Sequence, residues 1–166
     1  MRIKSSMEQS VYTLLLLAQL PAHTSLTAEA LSERMGASPS YFKKGMRTLV
    51  QAGLVRSSTG TRGGFSLSRD PAMISLLDIF LAVEGRGSLY QEGGIYHRML
   101  VADPTVPNDR CILSKFMNRA ELAWKEELSK VTLASMLEEI RDSHQACMET
   151  MNDWIQLHIE KGEHPS

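Results

Sequence analysis

The stretch that decides the fold is residues 38–55, which read SPSYFKKGMRTLVQAGLV. Ser38 and Pro39 are typical of the N-cap and the first position of a helix, and Gly53 ends the pattern. Within this helix the apolar residues recur at the spacing of one helical face. They are Phe42, Met46, Leu49 and Val50. We therefore expect one side of the helix to pack into a core.

The other side of this helix is polar and basic. It carries Ser40, Lys43, Lys44, Arg47 and Gln51. No Asp or Glu occurs from residue 38 to residue 68. A solvated helix surface usually mixes Lys and Arg with Glu, so an acid-free basic face favours a helix that faces phosphates. An ordinary solvated face remains the alternative.

Two short strands, residues 54–57 and 64–68, follow the basic helix. The loop between them, residues 58–63, contains glycines that permit a hairpin turn. Upstream, the apolar spacing predicts a helix from Met7 to Leu20 and a short helix from the Thr27 cap to near Gly36. Helix, turn, helix and basic hairpin is the order of a winged helix-turn-helix. Such a fold places its second turn helix in the DNA major groove.

Composition and charge narrow the class of protein. The chain has 166 residues, enough for about one domain, and a net charge of −1. Residues 1–70 carry nine Lys/Arg and four Asp/Glu, whereas residues 71–166 carry nine and fifteen. This split favours nucleic-acid binding by the first part alone, with a chance distribution of charge, as in many enzymes, as the alternative. The longest clean apolar run, residues 14–18, is too short for a membrane span, and no signal peptide is visible, so we expect a cytoplasmic protein without a membrane partner.

The second part of the sequence predicts helices around an irregular loop. Ser75 caps a helix from Leu76 to Val83, and residues 85–110 contain scattered Gly and Pro. A long helix then runs from about residue 111 to residue 131, and another continues from Leu133 to about Glu160. The long apolar stripes predict a dimer interface, with packing inside one chain as the alternative. The interface set is Leu113, Phe116, Met117, Ala120, Trp124 and Leu128.

Residues 38–55, 59–67 and 74–85 together resemble the Rrf-two family of bacterial transcription regulators. The resemblance implies a mainly α (α+β) fold: a winged helix-turn-helix with a two-stranded wing and a long C-terminal dimerisation helix. It divides the chain into a DNA-binding domain (residues 1–85), a sensor or effector loop (86–110) and a helical dimerisation region (111–166). It also implies a homodimeric, sequence-specific regulator, commonly a repressor, that binds a pseudo-palindromic double-stranded operator.

The family's DNA contacts come from the recognition helix, the wing and the first residues of the chain. Mapped onto this sequence, they are Arg2, Lys4, Ser5, Ser38, Ser40, Tyr41, Lys43, Lys44, Arg47, Ser58, Thr59, Gly60 and Arg62. Lys43 and Lys44 replace a Glu-Gln pair of some cluster-binding relatives. Lysine favours guanine or phosphate, so the operator preference should differ from theirs. Arg62 is the candidate for the minor groove.

The predicted sensor departs from the cluster-binding members, which place three cysteines in the loop before the long helix. Only Cys111 is present there, so no cofactor is expected. An iron–sulfur cluster held by Cys111, His97 and Glu8 is a weak alternative, because thiolates are the ordinary ligands. A thiol switch at Cys111, an inert buried Cys111, a small-molecule effector in the loop and a partner protein stay open. Cys147, among apolar neighbours, is expected in the core.

Two other classes of function compete with DNA binding. A winged-helix protein-interaction module without direct DNA binding would use the loop and the long helices, but it needs no acid-free basic helix. A redox enzyme centred on Cys111 would need a resolving cysteine or a base nearby, and the sequence shows neither. The sequence contains no nucleophile elbow, phosphate loop or zinc-cysteine pattern. We therefore expect no enzymatic activity and no bound metal.

Overall fold

The computed structural model of the chain describes residues 3–60, 63–100 and 111–163. It is mainly helical, with one two-stranded antiparallel sheet, and this confirms the predicted winged-helix fold. The elements are α1 (Ser5–Leu17), α2 (Ala28–Arg34), α3 (Pro39–Gln51), β1 (Val55–Ser58), β2 (Gly64–Leu67), α4 (Leu76–Val83), α5 (Ile95–Leu100), α6 (Ile112–Lys130), α7 (Leu133–Ser143) and α8 (Gln145–Glu163). A 3₁₀ turn, Pro71–Met73, lies between β2 and α4.

The helix-turn-helix unit begins and ends where its capping residues predict. The Thr27 hydroxyl accepts a hydrogen bond from the backbone N–H of Ala30 at 3.2 Å, which starts α2. Gly36 and Gly53, just beyond α2 and α3, have φ of +60° and +69°. This left-handed conformation is nearly free for glycine and ends a helix. Ser38 holds the N-cap position of α3, although its side chain makes no capping hydrogen bond.

The core lies beneath α1 and α3. Leu14 and Leu15 of α1 are fully buried, as are Met46 and Leu49 of α3. Side chains from α4, α7 and α8 complete the same cluster: they include Ile79, Leu133, Leu137, Met148 and Ile155. The amphipathic pattern of α3 is therefore confirmed, with Val50 half-buried at its edge. Burial of these side chains fixes the polar face of α3 outward.

The wing is anchored to the segment before α2. β1 and β2 pair antiparallel with Val55 opposite Leu67 and Ser58 opposite Gly64. On the other side of β2, Phe65 exchanges two backbone hydrogen bonds with Leu26, at 2.8 and 3.1 Å. β2 is therefore held on both sides, which fixes the wing relative to the segment before α2.

A second backbone link joins the starts of α4 and α7. Leu76 N–H donates to Val131 at 2.8 Å, and Leu133 N–H donates to Ile74 at 3.0 Å. Both helices begin with a capping box, in which the N-cap hydroxyl and the third helical residue bond each other's backbone. The predicted break at Thr132 is confirmed. The C-terminal helices are thus tied to the winged helix-turn-helix unit through backbone as well as side chains.

Two predictions about the second part of the chain were wrong. The stretch expected to be irregular between residues 85 and 110 contains α5, and residues 101–110 lie outside the described part. The last helix was expected to be continuous, but His144 has φ of −143° and ψ of 56° and separates α7 from α8. The apolar spacing continues across His144, so no local signal marks the break. It lets α7 and α8 pack against each other.

In the part of the chain that the structure describes, no helix combines the length and the apolar character that crossing a membrane requires.

Candidate nucleic-acid interface

The recognition helix α3 presents a continuous cationic face. Lys43, Lys44 and Arg47 are all exposed on α3, with Ser40 one turn before them. Tyr41, on the N-terminal part of the helix, is 49% exposed. The opposite side of α3 is buried, so these side chains cannot turn into the core. The structure therefore brings the α3 residues predicted to contact DNA together on one open surface.

One of these lysines has an ionic neighbour. Lys43 Nζ lies 3.7 Å from Glu29 Oε1 of α2, and both side chains are largely exposed. Such exposed ion pairs contribute little to the stability of the fold, because water and salt screen the attraction between the two charges. Within the described residues, Lys44 and Arg47 form no salt bridge. Lys44 and Arg47 are thus the cations of α3 most available to a phosphate.

The wing is closed by Ser58 at the point where its two strands meet the loop. The Ser58 hydroxyl accepts a hydrogen bond from Gly64 N–H at 3.2 Å and donates one to the Gly64 carbonyl oxygen at 3.3 Å. Gly60 has φ of +104°, and its carbonyl accepts from Gly63 N–H at 2.9 Å. Ser58, Thr59 and Gly60 are exposed. Arg62, the predicted minor-groove residue, lies outside the described residues.

The start of the chain is fastened to α4 through Lys4. The Lys4 backbone N–H donates to Glu84 Oε1 at 2.9 Å, and Lys4 Nζ pairs with Glu84 Oε2 at 2.9 Å. The hydrogen bond from the Lys4 side chain, followed by the bond from its backbone, lowers the pKa of Glu84 below its usual value. Lys4 therefore has a carboxylate partner that the sequence analysis did not foresee. Ser5 is exposed at the start of α1, and Arg2 lies outside the described residues.

The long helix α6 has an exposed apolar face. Leu113 is 54% and Phe116 is 56% exposed, and Ile112 at the helix start is equally open. Ala120 is exposed on the same side, and Met117 is half-buried. Trp124 and Leu128 instead pack within the chain: the Trp124 ring stands edge-on to Phe80 at 4.6 Å between centroids.

A buried carboxylate attaches the 85–94 loop to α6. Glu121 Oε2 accepts from the Ser88 hydroxyl at 2.8 Å and from Leu89 N–H at 2.9 Å. Its other oxygen pairs with Lys125 one turn later. The Lys125 hydrogen bond, then those from Leu89 and Ser88, lower the pKa of Glu121 to about 2. No sequence pattern indicates this role, since a single Glu on a helix resembles a solvated residue.

The predicted sensor residues do not form a ligand cluster. Within the described residues, no group of three or more His, Cys, Asp or Glu side chains could hold a metal ion. Cys111 is 3% exposed at the N-cap of α6, and Glu8 is exposed on α1. His97 lies half-buried on α5, and its Nε2 has no hydrogen-bond partner among the described residues. Burial of Cys111 matches the inert alternative better than the reactive one.

Cys147 contradicts its prediction. Its apolar neighbours in the sequence predict a core position, but its side chain is exposed on α8. The next residue, Met148, is buried instead. α8 begins directly after the break at His144, and in its register Cys147 lies on the surface.

Comparison with known proteins identifies the family. Residues 3–139 match the sequence model of the family described as "Rrf2: Iron-dependent Transcriptional regulator". The chain is 42% identical over 155 residues to the HTH-type transcriptional regulator YwgB of Bacillus subtilis (strain 168), covering 93% of this chain and 95% of that protein. It is 37% identical over 155 residues to the HTH-type regulator YffB of Lactococcus lactis subsp. lactis (strain IL1403), covering 93% and 97%.

Solved structures show the same fold. T. potens IscR superposes with a TM-score of 0.64 at 24% identity, covering 87% of this chain and 91% of that chain. CymR (YrzC), the global cysteine regulator of B. subtilis, superposes with a TM-score of 0.64 at 22% identity, covering 84% and 98%.

The iron named in the family's description does not fit the residues that the structure describes. Iron–sulfur clusters need several thiolates, and only Cys111 lies near the sensor loop, without two further ligands beside it. No step that depends on iron is therefore assigned to this chain. The matched family, the two relatives and the winged fold agree on regulation of transcription rather than on catalysis, and the chain belongs to the Rrf2 family of DNA-binding transcriptional regulators.

Proposed function

We propose that two copies of this chain bind a pseudo-palindromic operator, each with α3 in a major groove. The observation that carries the proposal is the exposed cationic face of α3, which has no acidic residue. A wing anchored to the segment before α2 supports it. Two heads related by a two-fold axis read two half-sites, so the operator should share that symmetry.

The contacts divide by chemistry. Lys43, Lys44 and Arg47 suit guanine edges or phosphates, because they are donors without acceptors. Hydroxyl and backbone groups of the helix start and the wing suit phosphate oxygens. The full set is the one predicted from the sequence: Arg2, Lys4, Ser5, Ser38, Ser40, Tyr41, Lys43, Lys44, Arg47, Ser58, Thr59, Gly60 and Arg62.

The second copy would cover the apolar face of α6. Ile112, Leu113, Phe116 and Ala120 lie on one side of the helix and are all exposed in the single chain. A two-fold pairing of α6 would bury this face once on each copy. Burial of each large apolar side chain would contribute roughly 1.5–3 kcal/mol to the stability of the dimer. Trp124 and Leu128 would support the helix from behind, through their packing on the core of the same chain.

The regulator would act in the cytoplasm, and repression is the mode that we propose, because a dimer seated on an operator blocks access to it. The division into residues 1–85, 86–110 and 111–166 stays a prediction about function. In the structure, α7 and α8 contribute to the same core as α1 and α3.

Selection from random duplexes, followed by anisotropy titration, tests the proposal. The wild-type dimer should enrich a two-fold sequence, and Lys44→Ala or Arg47→Ala should each weaken binding to it by about 1–3 kcal/mol if the side chain contacts a base. Lys130→Ala is the matched control, since Lys130 pairs with Glu126 and Glu127 at the far end of α6. Enrichment of no sequence, or equal losses in all three variants, would remove the proposal.

A further inference from the structure

A cavity of about 320 Å³ separates the recognition helix from α1. Its walls come from the start of the chain and α1 on one side, α3 on the other, and Val83 of α4. This volume is at the lower end of the range for small-molecule sites. The cavity lies behind the DNA-facing surface of α3, since Tyr41 and Lys44 line both.

Two side chains that line this cavity each carry a buried polar atom without a hydrogen-bond partner among the described residues. Thr13 is 1% exposed, yet its hydroxyl makes no hydrogen bond among the described residues. The Gln9 amide Nε2, one turn earlier on the same side of α1, is also buried and unpaired. Buried polar groups in folded proteins are nearly always hydrogen-bonded, so these two neighbouring groups are suited to a hydrogen-bonding partner that enters the cavity. Both can donate a hydrogen bond, and that partner should therefore be an acceptor.

Gly45 keeps the α3 wall of the cavity open. A side chain at this position would meet nothing within 4 Å, so no packing contact requires glycine here. Glycine in a helix interior is less favourable than alanine. A larger residue at position 45 would therefore stabilise α3, but its side chain would narrow the cavity.

The charge around the cavity favours an anion. Lys4 and Lys44 both line it, and no Asp or Glu is among its described lining residues. Glu84 already pairs with Lys4, whereas Lys44 forms no salt bridge within the described part of the chain. The rest of the wall is apolar and includes Phe42, Met46 and Leu49. An amphiphilic acceptor with one negative charge matches this arrangement.

We infer that this cavity is the binding site of a small carboxylate with an apolar tail, and that its occupancy lowers affinity for the operator. The carboxylate accepts hydrogen bonds from Gln9 and Thr13 and pairs with Lys44, while the tail packs on Phe42 and Met46. Bound ligand withdraws Lys44 from DNA, so ligand and operator compete for one cation. The regulatory half of this inference rests on the proposed function, but the binding half does not.

Hexanoate and 1-hexanol are suitable probes, because they share a tail and differ in charge. Amide resonances of the ¹⁵N-labelled full chain are followed during titration. Hexanoate should shift the Gln9 side-chain and Gly45 amide signals saturably, and 1-hexanol should not shift them. Thr13→Val removes the unpaired hydroxyl with little change of shape. It should raise the Kd for hexanoate at least five-fold without lowering Tm, whereas Thr24→Val, whose hydroxyl bonds Pro21 elsewhere, should leave the Kd unchanged.

Operator binding is then measured without hexanoate and with hexanoate at about four times the wild-type Kd, where competition weakens binding about five-fold. The ligand should therefore weaken wild-type binding about five-fold and Thr13→Val binding less than two-fold. Absence of saturable shifts in the first titration overturns the inference, even where the operator is bound normally. Binding that leaves operator affinity unchanged overturns the regulatory half alone. If no operator can be selected, the proposed function fails, and the hexanoate titration still decides whether the cavity is a carboxylate site.

Discussion

The carboxylate of Glu84 binds Lys4 twice, once through the Lys4 backbone N–H and once through Nζ, each at 2.9 Å. Lys4 is the N-cap residue of α1, and Glu84 follows the last residue of α4. The start of the chain is therefore held against α4 next to the recognition helix. The charge of Lys4, although its side chain is 62% exposed, is therefore already matched by Glu84.

The two lysines near α3 should accordingly differ in their contribution to phosphate binding. The plot of log K against log [salt] has a negative slope. The magnitude of this slope should decrease by about 0.9 in Lys44→Gln if Lys44 neutralises one phosphate. Lys4→Gln should change the slope by much less, because Glu84 competes for its charge. Anisotropy titrations of the selected duplex at several salt concentrations measure both. If the magnitude of the slope decreased as much in Lys4→Gln as in Lys44→Gln, the pairing with Glu84 would not reduce the contribution of Lys4.

Glu121 should make the stability of the loop–α6 junction depend on pH. Its pKa is lowered from 4.5 to about 2 in the folded chain, so its contribution is complete above pH 4.5 and is lost as the pH falls toward 2. Glu121→Gln should therefore lower the urea midpoint at pH 7, and the gap to wild type should narrow at pH 3. Glu126→Gln, an exposed acid on the same helix, is the control. A gap that stays constant with pH would exclude the ionised Glu121 as its cause.

Gly64 should not tolerate a side chain. A Cβ there would lie 2.5 Å from the Leu26 carbonyl oxygen, which belongs to the backbone bridge that holds the wing. Gly64→Ala should destabilise the protein by about 1–3 kcal/mol through overpacking. Urea denaturation followed by circular dichroism measures this. An unchanged free energy of unfolding would show that the Leu26–Phe65 bridge can move to accommodate the added side chain.

Gly45 should behave in the opposite way. A Cβ at Gly45 has open space around it, and alanine is favoured over glycine in a helix interior. Gly45→Ala should therefore stabilise the fold by about 0.5–1 kcal/mol in the same denaturation experiment. A loss of stability would mean that α3 packs more closely against α1 than the structure shows.

Phe116 should decide the oligomeric state. Phe116→Asp places a charge in the exposed apolar face of α6, and a dimer formed there should dissociate to a monomer in light scattering coupled to gel filtration. Leu122 is 67% exposed on the same helix but lies about 120° around its axis, so Leu122→Asp should remain dimeric. Dimers in both variants would place the interface elsewhere.

Local chemistry in the sequence determined the DNA-binding half. Capping at Thr27, left-handed glycines after α2 and α3, and the two faces of α3 depend on neighbours within about one helical turn. These features could be predicted because each of them is a short-range preference of the backbone or of burial. The resemblance to a family added the same topology and the contact residues of the wing.

Only the tertiary structure decided the relationships between residues far apart in the chain. The Lys4–Glu84 pair spans 80 positions and the Ser88–Glu121 bond spans 33, and neither leaves a periodic pattern. The break at His144 and the exposure of Cys147 follow from how α7 and α8 pack, because the apolar spacing runs unbroken through both. The cavity under α3 was equally hidden, since it exists only where α1, α3 and α4 meet. Spacing along a chain encodes which side of a helix is apolar, whereas the partner of each polar group depends on which elements the core brings together.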